Sequence, residues 1–525
     1  MLLKSKRRRF TSFLQRFHLR RTICLHDEGM TKTTPRVSRR DFFKIAAAAG
    51  ALAACSRING ETTIVSTAIS PALGQTPTNA PTSSSHPSTN LQSWLAANRI
   101  LFGPRKSDIE HISRIGVDAL IEEQLAHEQL DDSALQPRLA SFDLLNATPI
   151  ELAKDKKPAQ MLQQLQAMTM TRAVYSSRQL YELMCDFWTN HFNIYFRSGP
   201  VKYIKHIDDR EVIRPNALGK FRDLLGASAN SPAMLLYLDN DSNVKGKPNE
   251  NYARELMELH TLGVNGGYTQ RDVEEVARAF TGWSIIGPRQ TQNDAGAFVF
   301  RPKQHDRDAK EILGETFAAG GGKEEGERVL DILARHPSVG TFISLKLARR
   351  FVADQPPTSV VEKGANAFKQ SGGDIKATLG AILHSDEFKQ STGKKVKRPF
   401  EFVVSALRAL NVETDCGAPI QQAMLRMGQP LFLWEPPNGY PDVAGAWQNA
   451  GTLLARWNFG LALGGNALKG SQTALPRETD IDALSARFFG SELPQSVKEK
   501  LKPFEDNPAQ LAALMIASPL FQTRG

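Results

Sequence analysis

Residues 249–283 read NENYARELMELHTLGVNGGYTQRDVEEVARAFTGW, and the pattern sets two helices end to end. In the second half Val273, Val276, Ala277 and Phe280 recur at intervals of three and four, the period of one buried helical face. Thr269 precedes that face with Asp272 three residues on, an approximate capping box that would satisfy free N–H groups at a helix start. Gly263 and Gly282 stand where helices stop, because glycine enters the left-handed backbone region without a Cβ clash.

The same period runs outward in both directions. Leu180, Leu183, Met184, Phe187, Trp188 and His191 form one stripe; Phe342, Leu345, Ala348, Arg349 and Val352 form another; Val403, Ala406, Leu407 and Leu410 form a third. Ser107 is placed to cap a helix through DIEHISRI. Extended pieces are few: WSII at 283–286 and AFVF at 297–300 read as one hairpin. AAGGGKEEG at 318–326 reads as a loop and marks a candidate subdomain seam near 315–327. No internal repeat is visible. The predicted class is all-α, a multi-helix globular body over 93–525 with at most one small β-hairpin.

The polar residues of the opening stretch have two readings. With Glu250 at zero on a helical wheel, Arg254 falls at about 40° and Glu258 at about 80°. Glu250, Arg254 and Glu258 then form an exposed charge ladder, worth about 0.2–0.5 kcal/mol per pair. His260 breaks that reading, since it falls on the apolar side, as His191 does on its own stripe. A histidine on an apolar face is most often a hydrogen-bonded core residue, but two on separate helices point to a shared polar pocket. His305-Asp306 and His206 are further candidates. The catalytic set read from the sequence is therefore Glu255, Glu258, His260, His191, His305 and Asp306. Arg214, Arg254 and Asn190 are the substrate-binding candidates, the arginines because a guanidinium can take an anion bidentately.

Glu255 and His260 lie about 140° apart on an ideal helix, so one helix cannot present both to a metal. HExxH and Glu-x-x-His are absent, as are GxSxG, the P-loop and GxGxxG. Asp239, Asp241, Asn243 and Glu250 stand at positions 1, 3, 5 and 12 of a calcium-loop pattern. Val244 occupies the place where such loops need glycine for a sharp turn. The alternative is a polar connection in which Asn249 caps the next helix. A metal ion is thus a candidate cofactor through this loop or through ligands from several segments.

The chain carries a net charge of +10, which would point to an acidic partner if it lay on the folded body. It does not. Residues 1–55 hold thirteen Lys/Arg and three Asp/Glu and account for all of it, so no nucleic-acid partner is expected. Within that leader SRRDFFK, carrying Arg39 and Arg40, precedes the short apolar run IAAAAGALAAC, the order of a twin-arginine export signal. Eleven residues at 1.5 Å each cannot cross roughly 30 Å of hydrocarbon. Leu52-Ala53-Ala54-Cys55 has the form of a lipobox, with Cys55 as the lipidated residue, so membrane attachment would be through acyl chains alone. The signal stands far from Met1, and Met30 is an alternative start. Residues 56–92, rich in Ser, Thr and Pro, read as a flexible tether. Cys185 and Cys416 are too isolated to read as a disulfide framework.

Together these segments resemble the bacterial exported family catalogued as domain of unknown function 1800. NRILFGPR (98–105), FWTNHF (187–192), RPNALGKFRDLL (214–225) and SPAMLLYLDN (231–240) are similar to its motifs in order. The stretch quoted first is its most specific part. HDRDAKEILG (305–314), KLARRFVADQPP (346–357) and PPNGYPDVAGAWQNAGTLLARWNF (436–459) follow. The resemblance implies a largely helical exported protein, often beside a sulfatase-like partner, and carries no established reaction. Two functions remain open. One is an exported, hydrolase-like or metal-assisted enzyme with a polar pocket between helices. The other is a non-catalytic accessory or scaffold lipoprotein that binds a partner enzyme or envelope polymer in the periplasm.

Overall fold

The structure, a computed structural model, describes residues 89–155, 157–288, 294–474 and 480–525. The export residues Arg39 and Arg40, the lipidation candidate Cys55 and most of the tether lie outside them. The body begins with a helix at Thr89–Ile100, four residues inside the segment read as tether. Helix dominates, and extended structure among the described residues is confined to three two-stranded ribbons, so the all-α class holds.

Helix α1, Pro158–Tyr175, starts on a proline, which needs no N–H partner at that position. Helix α2, Gln179–His191, follows and buries Leu180, Leu183, Met184, Phe187, Trp188 and His191, the stripe read from the sequence. Helix α3, Asn251–Glu255, continues as a π-helix over Leu256–Thr261. There Leu262 N–H reaches back five residues to Met257 O at 2.8 Å, and the Thr261 hydroxyl donates to Leu256 O at 2.6 Å. A wheel at 100° per residue therefore fails beyond Glu255, which the sequence pattern does not reveal. The Glu250–Arg254 pair forms at 2.9 Å, but Arg254 turns next to Gln270 rather than to Glu258.

Helix α4, Gln270–Ala279, has the expected cap: Asp272 accepts from Thr269 N–H at 2.8 Å, and the Thr269 hydroxyl oxygen accepts from Asp272 N–H at 3.2 Å. Gly263 and Gly282 take φ of 78° and 79°, the left-handed stops their positions predict. Strands β1, Trp283–Ile285, and β2, Phe298–Phe300, pair antiparallel with Trp283 opposite Phe300, as the hairpin reading requires. Two further ribbons exceed the single hairpin expected. Strands β3, Lys310–Ile312, and β4, Glu315–Phe317, pair across a tight turn, and β5, Glu413–Thr414, meets β6, Ser471–Gln472. Each is two or three residues long, below the length at which alternation becomes a readable signal. The loop read at 318–326 ends early, because helix α5, Lys323–Arg335, takes its last four residues.

Helix α6, Pro337–Phe351, packs against α7, Thr358–Gln370, and α8, Ile375–Leu383. Gly364 lets α7 approach Ser344 closely, since an added Cβ there would sit 2.8 Å from the Ser344 hydroxyl. The core face of α6 is Val339, Ile343, Leu347 and Phe351, each 0% exposed. The stripe read from the sequence straddles the edge of that face: Ala348 and Val352 are buried, while Phe342, Leu345 and Arg349 are half-buried. Helix α9, Pro399–Ala409, is buried along its whole length, the signature of a central helix. Helices α10, Ala450–Gly464, and α11, Pro508–Ala517, pack on each other, with Gly464 admitting the α11 backbone and Ala513. The helix read from Ser107 begins one residue earlier, at Lys106, where Asp108 accepts from Arg105 N–H at 2.7 Å. No helix among the described residues is long and apolar enough to cross a membrane.

Candidate functional site

A cleft of about 400 Å³ opens between the end of α2, the half-buried face of α6 and the irregular segment 434–443. That volume falls within the range of small-molecule sites, about 300–1,000 Å³. Its walls are Phe187, Phe342 and Leu345 on the helices and Trp434 and Tyr440 on the segment. Lys346 and Arg349 project into it from one face of α6, three residues apart.

The wall segment has no regular structure, so side chains must satisfy its backbone. The Asn190 amide donates to Tyr440 O at 2.9 Å, and its oxygen accepts from Tyr440 N–H at 2.7 Å. Asn193 donates to Trp434 O and Pro436 O at 3.0 and 2.8 Å. Asp354 accepts from Ala444 N–H at 2.7 Å and from Lys395 at 2.6 Å. Gly439, at φ 72°, passes so close to Asn190 O that any side chain there would overlap it. Asn190, expected to bind substrate, has both ends of its amide engaged by this wall.

The polar centre is one hydrogen-bonded chain. Lys346 Nζ lies 2.8 Å from His191 Nδ1, and His191 Nε2 lies 3.0 Å from the His260 carbonyl oxygen. A carbonyl only accepts, so Nε2 carries the ring proton and Nδ1 presents its lone pair to the lysine. Burial first, and then the Lys346 charge, drive His191 well below the ordinary histidine pKa. Burial, helped by Lys346, takes His260 down to about 3. Burial, reinforced by Arg349, brings the Lys346 ammonium down to about 8. Among the described residues no carboxylate lies within ion-pair distance of Lys346 or Arg349; Arg349 donates from Nε to Asp354 O at 3.1 Å.

Behind these two, the cations are compensated. Arg350 pairs with Asp186 at 2.9 Å and with Glu401, and Arg398 pairs with Asp186. Burial alone would raise the Glu401 carboxyl, but Arg350, Arg524 and Arg398 together hold it well below the usual carboxylate range. Arg524 and Arg99 also donate to Arg350 O, Phe351 O and Val352 O, the last carbonyls of α6, and so fix the end that carries the cleft cations.

The other expected site residues are elsewhere. His260 is brought to His191, with ring centroids 6.0 Å apart, but is 1% exposed, and its Nε2 has no hydrogen-bond partner. Glu255 and Glu258 are half-buried on the π-helix side and do not line the cleft, although burial and the neighbouring Glu258 raise the Glu255 carboxyl. His305 and Asp306 belong to a separate cluster: His305 Nδ1 donates to Thr281 O at 2.8 Å, Lys310 pairs with Glu325 at 2.7 Å, and Arg278 pairs with Asp306 at 2.8 Å. His206 contacts Ala147 O at 2.9 Å. Arg214 is bidentate, but to the protein's own Glu182 at 2.9 and 3.0 Å, with Asp209 on Nε at 2.9 Å. Cys185 and Cys416 are buried, free thiols and do not pair.

Three of the residues read as a calcium loop are placed by other contacts or by the backbone. Asn243 turns inward, its oxygen accepting from Asn249 N–H at 2.9 Å and its amide donating to Ala277 O at 2.8 Å. Glu250 is engaged by Arg254 and by Gln270 at 2.7 Å, and Asp239 takes a left-handed φ of 58°. Among the described residues no group of three or more His, Cys, Asp or Glu side chains is arranged to hold a metal ion.

Sequence reasoning passed over Lys346, Arg349, Trp434, Tyr440 and Asp442, the last also a cleft residue. The signal was available in KLARR and PPNGYPD. Cations placed on a stripe otherwise read as apolar mark a face that meets something other than core.

The fold and cleft define a helical protein with a basic, aromatic-walled pocket between helices. A sequence profile of the family described as "Protein of unknown function (DUF1800)" matches residues 95–523, and the chain belongs to that family. No curated protein and no solved structure shows a match.

Proposed function

We propose that this is an exported, lipid-anchored cell-envelope protein whose cleft binds a small organic anion and acts on it by acid–base chemistry. Arg349 is the anion's counter-ion and Lys346 the proton acceptor. The supporting observation is the Lys346–His191 contact of 2.8 Å at the edge of a 400 Å³ cleft, with no carboxylate near enough to hold the ammonium. A lysine whose pKa is about 8 is deprotonated in about a tenth of molecules at neutral pH, enough for a general base. Phe342, Trp434 and Tyr440 supply an apolar wall for the rest of the ligand.

Calorimetric titration with acetate, benzoate, methyl sulfate and phenyl phosphate tests this. At least one should bind in the micromolar to millimolar range, with affinity falling about tenfold or more in Lys346→Gln and Arg349→Gln. Binding unchanged in both variants would mean that the anion does not sit in this cleft.

A second reading has support in the scattered carboxylates. Glu255, Glu258 and Asp306 do not meet at the cleft, as a hydrolase built on paired carboxylates would require. On that reading the protein is an accessory lipoprotein that presents the bound anion to a sulfatase-like partner. Pull-down of that partner by wild type, and equally by Lys346→Gln, would favour it. Export through Arg39-Arg40 and lipidation at Cys55 would appear as a palmitate-labelled mature N-terminus that Cys55→Ala abolishes.

A further inference from the structure

We infer that Lys346 is a covalent nucleophile, forming a Schiff base with the carbonyl carbon of a short oxo acid whose carboxylate is held by Arg349. The inference rests on the reading of the cleft as an anion site and goes beyond it by naming the bond and the substrate class.

Four features of the geometry carry it. First, a nucleophilic amine must be free of a counter-ion, and Lys346 has no carboxylate in ion-pair reach among the described residues. The buried Lys395 and Lys310, by contrast, pair with Asp354 at 2.6 Å and with Glu325 at 2.7 Å. Second, His191 fixes the amine's direction. Its Nδ1 lone pair takes one N–H of the neutral amine, and its tautomer is locked by the His260 carbonyl at 3.0 Å. The amine's own lone pair is then left outside that contact. Third, Arg349 stands one turn along the same face, about 5–6 Å away between Cβ atoms. That spacing suits a carbonyl carbon on Lys346 and a carboxylate one or two bonds further. Fourth, the cleft is open enough for the ligand and apolar enough to favour the neutral amine. The lowered lysine pKa is consistent with this placement.

The step balances without any further reactant. The amine nitrogen adds to the carbonyl carbon, and the former carbonyl oxygen takes one N–H proton, giving a carbinolamine. Loss of the hydroxyl with the second N–H proton releases one water and leaves the C=N bond. His191 acts as a positioning residue and does not touch the substrate.

The experiment is reductive trapping on the intact protein. Glyoxylate or pyruvate is added with sodium cyanoborohydride, and peptides are weighed by mass spectrometry. Lys346 should gain the reduced adduct at least tenfold faster than exposed lysines such as Lys394. Arg349→Gln should slow trapping of pyruvate about tenfold and leave propionaldehyde, which lacks the carboxylate, within twofold. His191→Phe should move the pH midpoint of trapping, which loss of packing alone would not do. Labelling of Lys346 no faster than that of exposed lysines in the wild-type protein, with both oxo acids, overturns the proposal. If acetate or methyl sulfate still binds in that case, the covalent step alone fails; if neither binds, the anion cleft fails with it.

Discussion

Lys346 and His191 are 155 residues apart and meet at 2.8 Å, Nζ to Nδ1, where the end of α2 crosses the middle of α6. The contact joins two nitrogen bases on faces that also carry Phe187, Phe342, Leu345 and Arg349. Two nitrogen bases in contact cannot both hold a charge cheaply. The histidine is buried deeper and stays neutral; the lysine, at the cleft edge, is left near its titration point.

That arrangement costs stability at neutral pH. Unfolded, Lys346 keeps its proton up to about pH 10.5, and folded only up to about 8. Between these values the unfolded state binds more protons, so stability rises with pH there, and below pH 8 the full cost is present. The groups facing the ammonium are His191 and His260, Arg349 on its own helix, and Asp442 from the wall. Lys346→Met should therefore stabilise the protein at pH 7 by about 1–2 kcal/mol, the remaining solvent contact of this part-buried side chain reducing the full effect. The gain should vanish by pH 10.5, as read by urea unfolding across that range. A variant less stable than wild type at pH 7 would contradict the assignment.

His191 and His260 give the opposite limb. His260 titrates near 3 when folded and near 6.5 when unfolded, and His191 is lowered in the same direction. Below pH 6.5 the unfolded state takes up protons that the folded state refuses, so stability is lost as pH falls toward 3. Each histidine should contribute a slope of up to about 1.4 kcal/mol per pH unit. His260→Leu should flatten the acid limb by about half that of the pair, measured as the unfolding midpoint between pH 6.5 and 4.5. An unchanged limb would mean that His260 is protonated in place.

Arg214 neutralises two carboxylates, Glu182 and Asp209, which are 6% and 4% exposed. Removing one partner of such a group leaves uncompensated buried charge and costs about 3–5 kcal/mol. Arg214→Met should lower the thermal midpoint by several degrees or more. Combining it with Glu182→Gln should recover part of the loss, since Asp209 keeps a second cation, Arg172, at 3.9 Å. A double variant no better than the single one would point to packing rather than charge.

Gly439 separates the cleft wall from the Asn190 backbone. Its φ of 72° disfavours any side chain, and a Cβ would also strike Asn190 O. Gly439→Ala should therefore displace the Tyr440 clamp, at a cost of about 1–3 kcal/mol, and weaken binding of the anion probe more than it lowers the melting temperature. Calorimetry beside a thermal melt separates the two effects, and an unaltered affinity would show that the wall does not shape the site.

Much of the helical framework was legible because its signals are local. The cap at Thr269 and Asp272, the stops at Gly263 and Gly282 and the pairing of Trp283 with Phe300 each depend on residues close in sequence. Patterning also placed His191 and His260 on buried faces correctly. It failed where local rules break. The π-helix over Leu256–Thr261 shifts every later side chain off the ideal wheel, so Glu258 does not meet Arg254. On α6 the apolar period ran along the edge of the core face, and only packing against α7 and α8 decides that Ala348 and Val352 are buried while Phe342, Leu345 and Arg349 are not.

The sequence by itself determined that this chain forms helices, where several of them begin and end, and that His191 and His260 lie on buried faces. Those outcomes follow from backbone hydrogen bonding and hydrophobic period within a dozen residues. Tertiary structure alone decided which polar groups share a cleft. It tied Arg214 to Glu182, turned Asn243 away from the loop it was read to complete, and set Lys346 against His191 with no carboxylate to claim it. A side chain's partners depend on how distant helices pack, and the free energy of a charge depends on how much water that packing removes.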